Sequence, residues 1–411
     1  MKYRTFFAVW LLFWSALCVP AQSGNEPSAR LDELRERGST ALLNLDYEKA
    51  RQTYQEIAHL FPDDAIGPQM LAWTLWLETL NKSRLHQAAI YSSQSFEVNS
   101  EDKPDPRVAQ EFRDSIRQAA QRTRTRLQAS PHDPQALYAL GDVETLRGAY
   151  EITVEGRQLA GLRDASSGVN RHREVIKLDP NFHDAELTIG LYDYVVGNLP
   201  TPAKLVANVI GARGSKRRGL QTLERVAKEG HWQCDNARLL LMALYKHEKR
   251  YAESLELSRA LQDKYARNYL FKLETADTLI SQAEVERQAG HNATAYGFER
   301  EALNVFGSLI GDDPAPAARR ALSVIHFRYA EALLVLGQPE GAARQFLAAA
   351  AATDADSQLV TRSHLRAAQS FDLGGKRNEA LPEYRIVLRR PNTQDSLEQA
   401  RRGLREPYRA R

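Results

Sequence analysis

The chain is predicted to be all-α, a right-handed α-solenoid of paired helices, and three observations carry that prediction. Small and bulky apolar residues recur at the same offsets in separate stretches of about 34 residues. The 17 prolines of the chain fall largely between amphipathic segments, where they punctuate helices. Finally, 411 residues with 43% hydrophobic and 26% charged content are too many for one small core. They suit a stack in which each unit packs only on its neighbours.

The offsets are specific. With Leu31 as position 1, Leu34 is at 4, Gly38 at 8, Tyr47 at 17, Ala50 at 20, Tyr54 at 24, Ile57 at 27 and Pro62 at 32. With Ser323 as position 1, Ala330 is at 8, Leu333 at 11, Gly337 at 15, Ala342 at 20, Phe346 at 24 and Ala349 at 27. With Thr361 as position 1, Ala368, Phe371, Gly375, Ala380, Tyr384 and Val387 repeat those six places. A looser unit starting at Asp235 puts Met242 at 8, Tyr245 at 11, Tyr251 at 17 and Ser254 at 20. Helices whose axes lie about 8–10 Å apart need Gly or Ala where they cross and larger side chains on either side. On these residues the chain resembles the tetratricopeptide repeat (TPR) family over most of its length. That resemblance implies helix–turn–helix units, a concave groove lined by first helices, and binding rather than catalysis.

The middle departs from the standard unit. Gly141 takes position 8 of a unit that begins near Pro134, but the closing Asp179-Pro180 comes late. The expectation is a first helix running through Arg163, a turn at Ala165 to Gly168, and a second helix from Val169 to Leu178. The next unit puts Gly190 at position 8 and is interrupted from Pro200 to Gly214 before a second helix, Ser215 to Glu229. Within the interruption, Lys204 to Ile210 reads as a short packed helix. The block from Arg171 to Glu274, with its Leu-Pro break and Gly-Arg-rich turn, looks like a bacterial version of the inclusion-body-clearance type of TPR protein. The resemblance implies an adaptor role.

The first residues are not expected to belong to the fold. Lys2 and Arg4 precede an apolar run from Thr5 to Val19, and Val19-Pro20-Ala21 has the small residues of a signal-peptidase site. The expectation is export to the periplasm or outside the cell, with cleavage near Ala21. A retained anchor and lipidation at Cys18 are the alternatives, although Leu17 is not the small residue a lipobox wants. Loss of residues 1–21 would leave Cys234 as the only cysteine, with no internal disulfide.

Net charge is +3, of which Lys2 and Arg4 contribute +2, so there is no general nucleic-acid signature. The distribution is uneven. Residues 385–411 hold eight Arg against Asp395, Glu398 and Glu406, a net of +5, and residues 22–384 carry −4; the basic tail reads as a solvated helix end, with peripheral contact to membrane phosphate head groups or nucleic acid as the alternative.

No HExxH, no GxSxG and no cysteine pair for zinc occurs after the leader. The run from Gly211 to Lys216 lacks the Gly at position 209 that a phosphate loop needs, and Ser215 separates Gly214 from Lys216. His172, His183 and Asp184 read as packing and helix-end residues rather than metal ligands, and His231 with Cys234 lacks a third, orienting group. The chain is therefore read as a non-enzyme with no cofactor or metal. The candidate partner contacts are Trp73 and Trp76, at i and i+3; Tyr192 and Tyr194, before the break; and the basic trio Arg213, Lys216 and Arg217. For each aromatic the competing reading is packing, and for the basic trio a solvated helix start.

The organisation expected is a leader (1–21), N-terminal helix pairs (22–130), divergent units with insertions (131–232), C-terminal units (233–391) and a basic tail (392–411). About eight helix pairs should span Pro27 to Arg405. The functional expectation is an exported scaffold that holds a protein or peptide partner in its groove, in envelope assembly. The alternative is a lipid or cell-wall-glycan protein that uses residues 198–214.

Overall fold

The computed structural model describes residues 26–82, 105–199, 213–311, 314–393 and 395–409. Residues 1–21, expected to be a leader, and the segment from Lys204 to Ile210 lie outside them. The described residues form eighteen α-helices and one 3-10 turn, with no strand. The first six helices are α1 (Glu26–Leu43), α2 (Tyr47–Leu60), α3 (Ile66–Lys82), α4 (Pro106–Ala129), α5 (Pro134–Thr153) and α6 (Gln158–Leu178). After the 3-10 turn (His183–Ala185) come α7 (Glu186–Gly197), α8 (Lys216–Glu229), α9 (Cys234–His247), α10 (Tyr251–Lys264), α11 (Tyr269–Gln288) and α12 (Asn292–Leu309). The last six are α13 (Pro316–Arg319), α14 (Leu322–Val335), α15 (Pro339–Ala351), α16 (Ser357–Leu373), α17 (Arg377–Val387) and α18 (Ser396–Arg405). Each of the long helices packs on the next in order. This is an α-solenoid of TPR-like pairs: eight pairs, with α13 as a short link and α18 as a cap. No helix among the described residues is long and apolar enough to cross a membrane.

Short polar side chains start several of these helices by accepting otherwise orphaned N–H groups. Asp133 accepts from Gln135 and Ala136 ahead of α5, at 2.9 and 3.2 Å. Asp356 accepts from Leu359 ahead of α16, at 2.7 Å. Asp105 caps α4, where Pro106 fills a first-turn position that needs no N–H.

Most of the small and bulky unit positions are buried, with Tyr47, Tyr251 and Phe371 only partly so. Ala50, Tyr54, Ile57, Ala330, Ala342, Phe346, Ala349, Ala368, Ala380, Tyr384 and Val387 are all 0% exposed. Each large side chain among them contributes about 1.5–3 kcal/mol of transfer free energy. Gly38 lies under the Tyr54 ring, where an added Cβ would sit 2.5 Å from Cε1. At the looser unit Ser254 replaces Ala, and its hydroxyl donates to the Met242 carbonyl across the helix crossing at 2.9 Å.

One expectation is corrected. The turn in the long middle unit lies at residues 154–157, not 165–168, and α6 starts at Gln158 rather than Val169. Gly156, at φ +68°, makes the turn. Gly168, expected in the turn, instead faces a glycine of α5, as does Gly161. A Cβ on Gly148 would meet the Gly161 carbonyl at 2.6 Å, and one on Gly168 would meet the Gly141 carbonyl at 2.5 Å. Two pairs of glycines, each seven residues apart in its helix, let α5 and α6 touch backbone to backbone.

The stack curves back on itself. The α1–α2 turn docks on the α10–α11 turn more than 200 residues later. The Arg267 N–H donates to Asn44 Oδ1 at 3.2 Å, Asn268 Nδ2 donates to the Leu43 carbonyl at 2.7 Å, and Arg267 pairs with Asp46 at 3.5 Å. Leu45, at φ +60°, is held in that unfavoured conformation while its side chain packs into the cluster around Tyr269, Leu270 and Leu273.

Candidate functional site

The curl brings the first helix pair to the start of the fifth, and the space it encloses is the candidate site. One wall is Trp232, in the turn ahead of α9. Its position is set from a distance. The Asp184 carboxylate, in the 3-10 turn, accepts the backbone N–H groups of His231, Trp232 and Gln233 at 2.9–3.1 Å. Asp184 thus acts at a helix end, as expected, but the end is that of α9 rather than its own helix. The Arg35 guanidinium, from α1, lies over the Trp232 ring at 4.1 Å. This cation–π geometry uses the guanidinium face and leaves its N–H edge available. Arg35 makes no hydrogen bond or ion pair within the described residues.

Gln69 of α3 and Tyr138 of α5 line the floor, and both are joined to a buried polar cluster on α3, α5 and α6. Gln69 Nε2 donates to Asp142 at 3.0 Å, and Gln233 Nε2 donates to the Tyr138 hydroxyl at 2.8 Å. His172 is fully buried, 3.1 Å from the Tyr138 carbonyl and bonded to Thr188. Burial drives the His172 pKa down to about 4, against the Tyr138 carbonyl that favours the charged ring. Burial likewise pushes the Asp142 carboxyl up to about 7, although Tyr138, Arg35 and Gln69 all oppose the rise. The cleft between wall and floor measures about 310 Å³ and is bordered also by Arg122, Arg126 and Gln135. Arg126 is committed to Asp133 at 2.5 Å, whereas Arg122 donates only to the Asp64 carbonyl, at 2.8 Å. Asp32 and Asp63 are exposed at the rim. The arrangement presents an aromatic face, donors and acceptors within one cleft.

The sequence-predicted contacts do not gather in this cleft. Trp73 and Trp76 pack on each other at 4.9 Å, half-buried between the second and third pairs, and Trp76 Nε1 donates to Thr153 at 2.9 Å. Tyr194 is corrected to a packed residue. It is 4% exposed, and its hydroxyl donates to Glu248 at 2.6 Å. Lys216 also pairs with Glu248. The Glu248 carboxyl, pushed up by burial, is pulled further the other way by Lys216, Tyr194 and His247, to about 2. Tyr192 is half-buried under Arg173 at 5.0 Å, while Arg213 and Arg217 are exposed. Most of the interrupted stretch 198–214 lies outside the described residues. Arg35, Trp232 and Tyr138 were not singled out from sequence, because they meet only through the curl.

The first helices of the C-terminal half are tied to one another by polar pairs. Lys246 on α9 meets Glu274 on α11 at 3.0 Å, Asp277 on α11 pairs with Arg328 on α14, and Glu331 on α14 accepts both arms of Arg366 on α16 at 2.9 Å. In the register used above, Arg328 and Arg366 both occupy position 6 and Glu331 position 9. These pairs link successive first helices of this half to one another.

No protein-family model matches the chain. No curated protein matches it. Among solved structures, the human IFIT1 dimer with PPP-AAAA is similar at 12% identity and a TM-score of 0.43, over 91% of this chain and 84% of that one. A monomeric mutant of IFIT1 with Gppp-AAAA gives 12% identity and a TM-score of 0.45, over 90% and 84%. Yeast Tom70 gives 12% identity and a TM-score of 0.34, over 91% and 88%.

Proposed function

We propose that the chain is an exported TPR scaffold that holds a segment of a protein partner against the inner surface of its curl, at the cleft between Arg35 and Trp232, in assembly of the cell envelope. The observation that carries this reading is the uncommitted Arg35 guanidinium stacked on a Trp232 that Asp184 locks in place. A side chain held ready with free N–H groups suits backbone carbonyls of an extended segment, and a rigid aromatic beside it supplies contact area at low entropic cost. The sequence resemblance of residues 171–274 to the inclusion-body-clearance type points the same way, towards an adaptor. Export rests on the charge, apolar run and small-residue site of residues 1–21. Two measurements test the reading. Cross-linking mass spectrometry on the native envelope should return one reproducible protein partner joined near Trp232. N-terminal sequencing of the mature protein should begin just after Ala21.

A further inference from the structure

We infer that the C-terminal end of the solenoid is a docking face for an anionic phospholipid surface, separate from the peptide cleft. The basic charge there is entirely arginine: residues 385–411 contain eight Arg and no Lys. Arginine presents a planar fork that matches phosphate oxygens two at a time, which the point charge of lysine does not.

The face is built rather than trailing. Helix α18 buries Ser396, Ala400 and Gly403, and Gly403 lies directly against the Tyr384 ring, where no Cβ would fit. Arg377 donates to the Leu404 carbonyl at 3.1 Å, and the Tyr408 N–H donates to Asp372 at 2.8 Å, so the chain beyond α18 is pinned back on α16 and α17. The opposite side of α18 carries Arg401, Arg402 and Arg405, all exposed, within about 100° of helix circumference. Arg385 in the last turn of α17 and Arg389 just beyond it are exposed as well.

Several arginines in the body of the stack are neutralised. Arg218, Arg225, Arg328, Arg366 and Arg377 each have a carboxylate partner. Of the five exposed on α18 and at or just beyond the end of α17, only Arg402 has one within the described residues, Glu398 at a loose 3.9 Å. A net of +5 here against −4 for residues 22–384 makes the molecule a dipole with its positive end at α18. That end would face a negative surface.

The choice of phospholipid over nucleic acid has two grounds. Sequence-tolerant nucleic-acid binders interleave aromatics for stacking, and Tyr408 is the only aromatic in residues 385–411. The choice also rests on the export reading above, since an exported chain meets membrane phosphates before nucleic acid.

The test is vesicle co-sedimentation of the full chain, with wild type and variants carrying the same residues 1–21. Vesicles of phosphatidylcholine alone are compared with vesicles containing phosphatidylglycerol, at low and high salt. Binding should require phosphatidylglycerol and be lost at high salt. It should fall by at least about tenfold in the triple variant Arg401→Gln, Arg402→Gln, Arg405→Gln, since each charge near the surface is worth roughly a factor of five. The lysine triple variant should restore binding in part. A second variant, Arg385→Gln with Arg389→Gln, guards against misfolding of α18 in the first. Equal binding to both vesicle types, wild-type binding by both glutamine variants, or tighter binding of a DNA duplex than of anionic vesicles would each overturn the inference. Cross-linking of a protein partner near Trp232 should be unchanged in these variants, so the two readings fail separately.

Discussion

Both carboxylate oxygens of Asp184 accept the Trp232 backbone N–H, each at 3.1 Å, across 48 residues of sequence. The same carboxylate takes the N–H groups on either side. One side chain therefore fixes the turn that forms a wall of the cleft. Asp184→Ala would strand three N–H groups at a half-buried site. The expected loss is about 2–4 kcal/mol in urea unfolding, together with loss of partner cross-linking at Trp232. Asp184→Asn keeps one acceptor oxygen and should lose less.

Glycines divide into two classes with opposite predictions. Gly148→Ala would force a Cβ to 2.6 Å from the Gly161 carbonyl, and backbone cannot step aside there. A loss of about 1–3 kcal/mol is expected. Gly297 and Gly307 lie in α12 with nothing within 4 Å of an added Cβ. Alanine at either should stabilise by about 0.5–1 kcal/mol. Thermal melts of the single variants check both signs.

The unit register was legible in the sequence where local sterics decide it. Gly38, Ala330 and Ala368 at position 8, and Tyr54, Phe346 and Tyr384 at position 24, needed only the 34-residue spacing to be placed. The α5–α6 turn was misplaced because Gly168 reads as a breaker, whereas its role is close approach to Gly141. The matched seven-residue spacing of Gly141 with Gly148 and Gly161 with Gly168 was the available signal. The cleft was not legible at all. Arg35 and Trp232 meet because the stack closes through Asn44, Arg267 and Asn268, and no local pattern reports the pitch of a superhelix.

Breaking one tie between first helices should be felt as coupling. Arg366→Ala leaves the partly buried Glu331 without its two donors and is expected to cost about 1–3 kcal/mol. Adding Glu331→Ala should cost less than the sum of the two single changes. A double-mutant cycle in urea measures the difference.

The buried polar cluster joined to the cleft through Gln69 and Tyr138 predicts a masked pH dependence. The folded-state pKa of Asp142 is raised to about 7, so between about 4 and 7 folding takes up a proton there and stability falls as pH rises. His172 is lowered to about 4, so between about 4 and 6.5 the unfolded chain holds the extra proton and stability rises with pH. The two slopes oppose each other over about pH 4–6.5, and this cluster contributes little net slope in the wild type. Asp142→Asn removes one of them, and its stability should climb with pH across that window relative to wild type. Equilibrium unfolding at a series of pH values reads this directly.

The most direct test of groove binding is site-specific photo-cross-linking. A photoreactive residue replaces Gln135, which borders the cleft and is exposed, or Tyr296, which is 65% exposed on the second helix α12. The account predicts one reproducible protein adduct from position 135 in the native envelope, abolished by Arg35→Ala, and none from position 296. Equal adducts from both positions, or an adduct at 135 indifferent to Arg35→Ala, would contradict it.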